Sequence, residues 1–82
     1  MNQIIIWSKP NCPYCDQAKA LLNAKNIGFE ERKIGNGYSR EDLLEAVPTA
    51  RTVPQIFVDG QHVGGFIELR KYINDLHNNI DI

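Results

Sequence analysis

Apolar positions fall along this chain in two rhythms. Ile4-Ile5-Ile6-Trp7 is an unbroken apolar run rich in β-branched residues, which predicts a strand buried on both faces. After the loop at 8–11 the rhythm lengthens. Pro13 suits the first turn of a helix, where its missing N–H would have had no intrahelical acceptor. Ala18, Leu21 and Leu22 mark the inward face of that helix, expected to run to about Asn26 with Gly28 just beyond its end. Residues 29–34 predict a weaker strand, whose Glu30-Glu31-Arg32-Lys33 run reads as a solvated edge. Gly35 and Gly37 mark a loop. Ser39 then opens a second helix, with Asp42 three residues on in a capping-box arrangement and Leu43, Leu44 and Val47 as its buried stripe, and Pro48 stops it. Gln55 to Val58 and Gln61 to Gly64 predict two strands joined by the turn pair Asp59-Gly60. A last helix carries Phe66, Leu69, Ile73 and Leu76 at helical spacing, and the tail from Asn78 is expected to fray.

The resulting order is β-α-β-α-β-β-α. Its first β-α-β unit requires a parallel, right-handed crossover, and the hairpin adds antiparallel strands to the same sheet. A mixed four-stranded sheet covered by three helices is the economical α/β solution, the thioredoxin fold in its minimal form. At 82 residues, without repeat or linker, residues 1–82 are expected to form one domain.

Charge narrows the function classes. With 9 basic and 10 acidic side chains the formal net charge is −1, which gives no reason to expect nucleic acid or an anionic membrane as partner. No basic segment followed by an apolar one opens the chain, and its longest apolar run is far too short to span a bilayer. A cytoplasmic monomer beginning at Met1 is the expectation.

Two cysteines only, Cys12 and Cys15, add the chemistry. A small secreted chain normally carries several disulfides, and one bond closing so short a loop would constrain the unfolded chain little. A redox pair is therefore the stronger reading than a staple. At a helix start Cys12 would sit near unpaired backbone N–H groups and the positive end of the macrodipole, with Lys9 three residues before it. Such surroundings lower a cysteine pKa to roughly 3.5–7.5 and favour the reactive thiolate. Cys15, one turn further in, would be shielded yet able to reach the sulfur of Cys12. Cys12 is thus assigned as nucleophile and Cys15 as resolver of the mixed disulfide. A zinc site would need four ligands, and only His62 and His77 remain as further candidates, so no metal is expected.

These residues resemble a known family. Trp7-Ser8-Lys9-Pro10-Asn11-Cys12-Pro13-Tyr14-Cys15 is similar to the active-site segment of dithiol glutaredoxins. Thr52-Val53-Pro54-Gln55-Ile56-Phe57 resembles their cis-proline segment, and Gly64-Gly65-Phe66 their glycine pair before the last helix. The blocks keep the family's order and spacing over nearly the whole chain. The resemblance implies reduction of protein disulfides and of glutathionylated proteins, with glutathione as co-substrate and no bound cofactor. It makes ribonucleotide reductase a candidate protein substrate.

On the residues alone, Pro54 fits equally a trans proline opening a strand; the resemblance implies a cis bond, with the backbone of Val53 turned toward the site and able to pair with an extended substrate. It also implies a glutathione site. Lys9, Arg51 and Gln55 would serve the ligand's glycine carboxylate, Tyr14 would line the groove, Val53 would offer its backbone, Pro54 and Gly65 would mark the walls, and Thr52 would belong to the same site. Gly65 and the N–H groups of Phe66 and Ile67 would take the γ-glutamyl carboxylate. Two departures stand out. Ile67 occupies a position where many members carry Asp, Ser or Thr and cannot accept a bond from the ligand's amino group, although its neighbour Glu68 can. An anchor early in the middle helix, often glutamine, is replaced by Glu41 or Arg40.

Two rivals remain on the sequence. One is a glutaredoxin-like reductant recharged by thioredoxin reductase, whose Trp-Ser-Gly-Phe-Arg-Pro-like ending is absent. The other is an iron–sulfur carrier holding a cluster with glutathione, which the proline after Cys12 disfavours.

Overall fold

In the computed structural model, which describes residues 3–78, the elements are β1 (Ile4–Ser8), α1 (Pro13–Ala24), β2 (Glu30–Lys33), α2 (Arg40–Ala46), β3 (Gln55–Val58), β4 (Gln61–Gly64) and α3 (Phe66–Asn78). One sheet runs in the order β2-β1-β3-β4. β1 pairs parallel with β2 and antiparallel with β3, and β3 pairs antiparallel with β4. The expected mixed sheet with three helices is therefore present.

Strand alternation divides the core into two layers. Ile4 and Ile6 point to one face, where Ala18 and Leu22 of α1, Leu69 and Ile73 of α3, and Ile56 and Val58 of β3 complete a buried cluster. Ile5 and Trp7 point to the other, where Leu43 and Val47 of α2 cover them. An apolar run without alternation is what a strand between two such layers requires. Leu44 is only half-buried, at the margin of the second layer. Leu76 and His77, and the tail after Asn78, lie outside the described side chains.

Local chemistry explains the boundaries. Ser39 caps α2: its hydroxyl accepts from the N–H of Asp42, and the Asp42 carboxylate accepts from the N–H of Ser39. Asp59 and Gly60 both have positive φ, 51° and 82°, as the tight turn between β3 and β4 demands. One expected boundary is wrong. α1 ends at Ala24, and Asn26 (φ 58°) rather than Gly28 takes the left-handed conformation beyond it. Asparagine tolerates that region, so the chain turns two residues before the glycine.

Candidate active site

Cys12 is the N-cap of α1, and Pro13 opens its first turn. The N-cap side chain is where a helix end seeks an acceptor, and here a sulfur fills that role: the N–H of Cys15 points at Cys12 Sγ at 3.1 Å. Cys12 and Cys15 are joined as a disulfide. Both cysteines are buried, Cys12 6% exposed and Cys15 1%.

Across from the disulfide lies the segment before β3. The Val53–Pro54 bond is cis, and the Val53 carbonyl oxygen is 3.6 Å from Cys12 Sγ. A disulfide sulfur carries no proton, so in this state the pair is a contact; the thiol of the reduced protein can donate there. Lys9, Arg51, Thr52 and Val53 line one groove of about 300 Å³, joined by Arg40 and an apolar floor of Ile34, Leu43, Leu44 and Ala50. Three cationic side chains thus rim a groove that begins beside the reactive sulfur. On the other side, the exposed Tyr14 ring stacks on Phe66, centroids 6.2 Å apart. Gly65 sits against the cis-proline segment: a Cβ built there would lie 3.5 Å from the Pro54 carbonyl oxygen. Sequence-predicted residues therefore form two walls around Cys12, and Ile67 stands 68% exposed at the edge.

Two expected ligand groups are engaged within the protein. The Gln55 amide donates to the Thr52 carbonyl at 2.9 Å, and its oxygen accepts from His62 Nε2 at 2.7 Å. Gln55 thus braces the cis-proline segment against β4. The N–H of Gly65 donates to Glu68 Oε1 at 2.7 Å.

One polar cluster escaped the sequence reading. Ser8, fully buried at the end of β1, donates to Glu31 Oε2 at 2.6 Å, and Lys19 Nζ donates to the same oxygen at 2.9 Å. Asp16 lies 3.7 Å from Lys19. The Ser8 hydroxyl, then Lys19, holds the Glu31 carboxyl below its ordinary range, while the bond to Glu31 raises Lys19 despite its partial burial. Glu31 is thereby drawn inward from a strand expected to be solvated. The only hint was Lys19 one helical turn beyond Cys15. Arg32 of the same strand lies over the Trp7 and Tyr38 rings, 5.4 Å and 5.6 Å from their centroids, and pairs with Glu30.

The family model for Glutaredoxin matches residues 4–63, which contain both cysteines and the cis-proline. The chain belongs to the glutaredoxin family. Glutaredoxin 3 of Escherichia coli K12 is 43% identical, over 99% of this chain and 95% of its own length. Among solved structures, Glutaredoxin 1 from Francisella tularensis superposes with a TM-score of 0.78 at 32% identity, covering 93% of this chain and 96% of its own. A buckwheat glutaredoxin–glutathione complex does so with a TM-score of 0.75 at 25% identity, covering 88% and 68%. Family membership and the Cys12–Cys15 pair make this glutaredoxin a thiol–disulfide oxidoreductase. Among the described residues no helix is long and apolar enough to cross a membrane.

Proposed function

We propose that this glutaredoxin draws its electrons from glutathione and reduces both protein disulfides and glutathionylated proteins. The observation that carries the reading is the groove at Cys12, where Lys9, Arg40 and Arg51 surround a path leading to the Val53 backbone. Glutathione is an anionic tripeptide-like thiol; it needs cations for its glycine carboxylate and backbone groups for its cysteine. The buckwheat relative in complex with glutathione supports the same ligand class.

In the reduced protein the thiolate of Cys12 attacks the glutathione sulfur of a mixed disulfide. A new S–S bond forms to Cys12, and the target thiolate leaves and takes a proton from solvent. A second glutathione thiolate then attacks, releasing glutathione disulfide and returning Cys12 to its thiolate. With a protein disulfide, Cys12 forms the mixed disulfide with one target sulfur. Cys15 loses its proton, attacks Cys12 Sγ and expels the target dithiol, leaving the bond present in this structure. The N–H of Cys15 stabilises charge on Cys12 as it becomes the leaving or attacking sulfur. Potentials of roughly −200 to −230 mV in this family lie near that of cytosolic glutathione, so the direction follows supply. Such a pair works in the reducing cytoplasm, and an extended disulfide segment such as one of ribonucleotide reductase is a suitable partner for the Val53 backbone.

Cys15→Ser tests the division of labour. Removal of glutathione from a glutathionylated peptide should persist while reduction of a protein disulfide through the dithiol route fails. Loss of both would overturn the assignment. Running the wild-type protein with glutathione and its reductase, or with thioredoxin reductase alone, tests the source of electrons.

A further inference from the structure

Three contacts join β4 to the backbone that faces Cys12. His62 of β4 is paired with Phe57 of β3, and the two rings lie 5.1 Å apart at 40°. From there His62 Nε2 reaches diagonally to Oε1 of Gln55, two residues back along β3, at 2.7 Å. The Gln55 amide in turn donates to the Thr52 carbonyl at 2.9 Å, so this side chain closes a small loop around Val53 and Pro54. The carbonyl oxygen of Val53, within that loop, is 3.6 Å from Cys12 Sγ.

The groups involved fix where the protons are. A carbonyl only accepts, so the part of Gln55 that faces Thr52 is its NH2. That turns Oε1 toward His62. Oε1 is also an acceptor only, so His62 Nε2 must carry a proton. Without a donor at position 62 nothing holds the amide in this orientation, and its NH2 can turn away from Thr52.

We propose that His62 is a positioning residue for the thiol–disulfide reaction: through Gln55 it holds the Thr52–Val53 backbone where a disulfide substrate pairs beside Cys12. The inference rests on the reading that substrates pair with the Val53 backbone. It applies to glutathionylated and protein disulfides alike, whichever thiol supplies the electrons. Its effect falls on binding, because Cys12, Cys15 and the N–H that points at Cys12 Sγ are held by α1 rather than by β4. KM therefore changes and kcat does not.

The experiment follows two reactions in wild type, His62→Phe, His62→Gln, Gln55→Leu and the double variant Gln55→Leu/His62→Phe. One is glutathione-driven reduction of a glutathionylated peptide, coupled to glutathione reductase. The other is reduction of a disulfide-bonded peptide driven by dithiothreitol. His62→Phe keeps a ring on Phe57 and removes the donor; KM should rise about two- to threefold in both reactions at unchanged kcat. His62→Gln restores an N–H donor and should bring KM back toward wild type. Since His62 acts through Gln55, the double variant should show the KM of Gln55→Leu alone and not the product of the two effects. A wild-type KM in His62→Phe, a fall in its kcat, or multiplied effects in the double variant overturns the role of His62. Absence of glutathione turnover in all five proteins, with the KM effect on the disulfide-bonded peptide intact, overturns the glutathione reading and leaves His62 in place.

Discussion

Glu31→Ala removes the acceptor that joins the end of β1 to α1. Two donors converge on Glu31 Oε2: the hydroxyl of Ser8, fully buried, and the ammonium of Lys19, whose side chain is 23% exposed. An unsatisfied buried hydroxyl costs about 1–3 kcal/mol. Losing a partly buried ion pair that solvent still reaches adds about 0.2–1 kcal/mol. The sum is therefore about 1–4 kcal/mol, carried mainly by Ser8. In a domain of this size that corresponds to a melting point lower by roughly 5–30 °C. Urea unfolding of the oxidised protein, run as a double-mutant cycle with Ser8→Ala, separates the contributions. Ser8→Ala alone removes donor and need together and should cost less than Glu31→Ala, and the pair should couple by about 1 kcal/mol. A Glu31→Ala cost below about 0.5 kcal/mol, or additive single mutations, would refute the reasoning.

The same cluster sets a pH dependence. Glu31 is depressed in the folded protein, first by the Ser8 hydroxyl and then by Lys19. Its contribution is therefore complete above its unfolded value of about 4.3 and is lost as pH falls through the lower folded value. Wild type should lose stability in that acid window, and Glu31→Gln should lose less there.

Three further outcomes follow from the fold and the site. Leu22→Ala, at a fully buried position between α1 and the sheet, should cost about 2–5 kcal/mol by chemical denaturation. Gly64→Ala should cost about 1–3 kcal/mol, because Gly64 sits at φ 129° and its new methyl would press on the Glu68 side chain. Gln55→Leu removes the brace between Thr52 and His62; steady-state kinetics should show KM for a mixed disulfide about two- to threefold higher at unchanged kcat, since these exposed bonds are individually weak.

What the sequence determined by itself was whatever depends on neighbours along the chain. Ile4 to Trp7 announced a doubly covered strand, Ser39 and Asp42 a helix start, Asp59-Gly60 a hairpin, and Cys12-Pro13-Tyr14-Cys15 a redox pair at a helix end, because each signal is complete within a few residues. Even the misplaced end of α1 was a choice between two nearby turn formers, Asn26 and Gly28. The tertiary structure decided which polar groups meet across long separations. Glu31 lies 23 residues from Ser8, and only the parallel pairing of β1 with β2 and the crossing of α1 bring them together. The brace of His62 on Gln55 depends on the β3–β4 register, which is displaced at Ile56 and Phe57. A side chain's partner is set by packing, so the groove around Cys12 could be outlined from motifs while its occupants could not. Gln55 and Gly65, expected to serve a ligand, are engaged by the protein's own groups, because a donor or acceptor bonds the partner that the fold holds within reach.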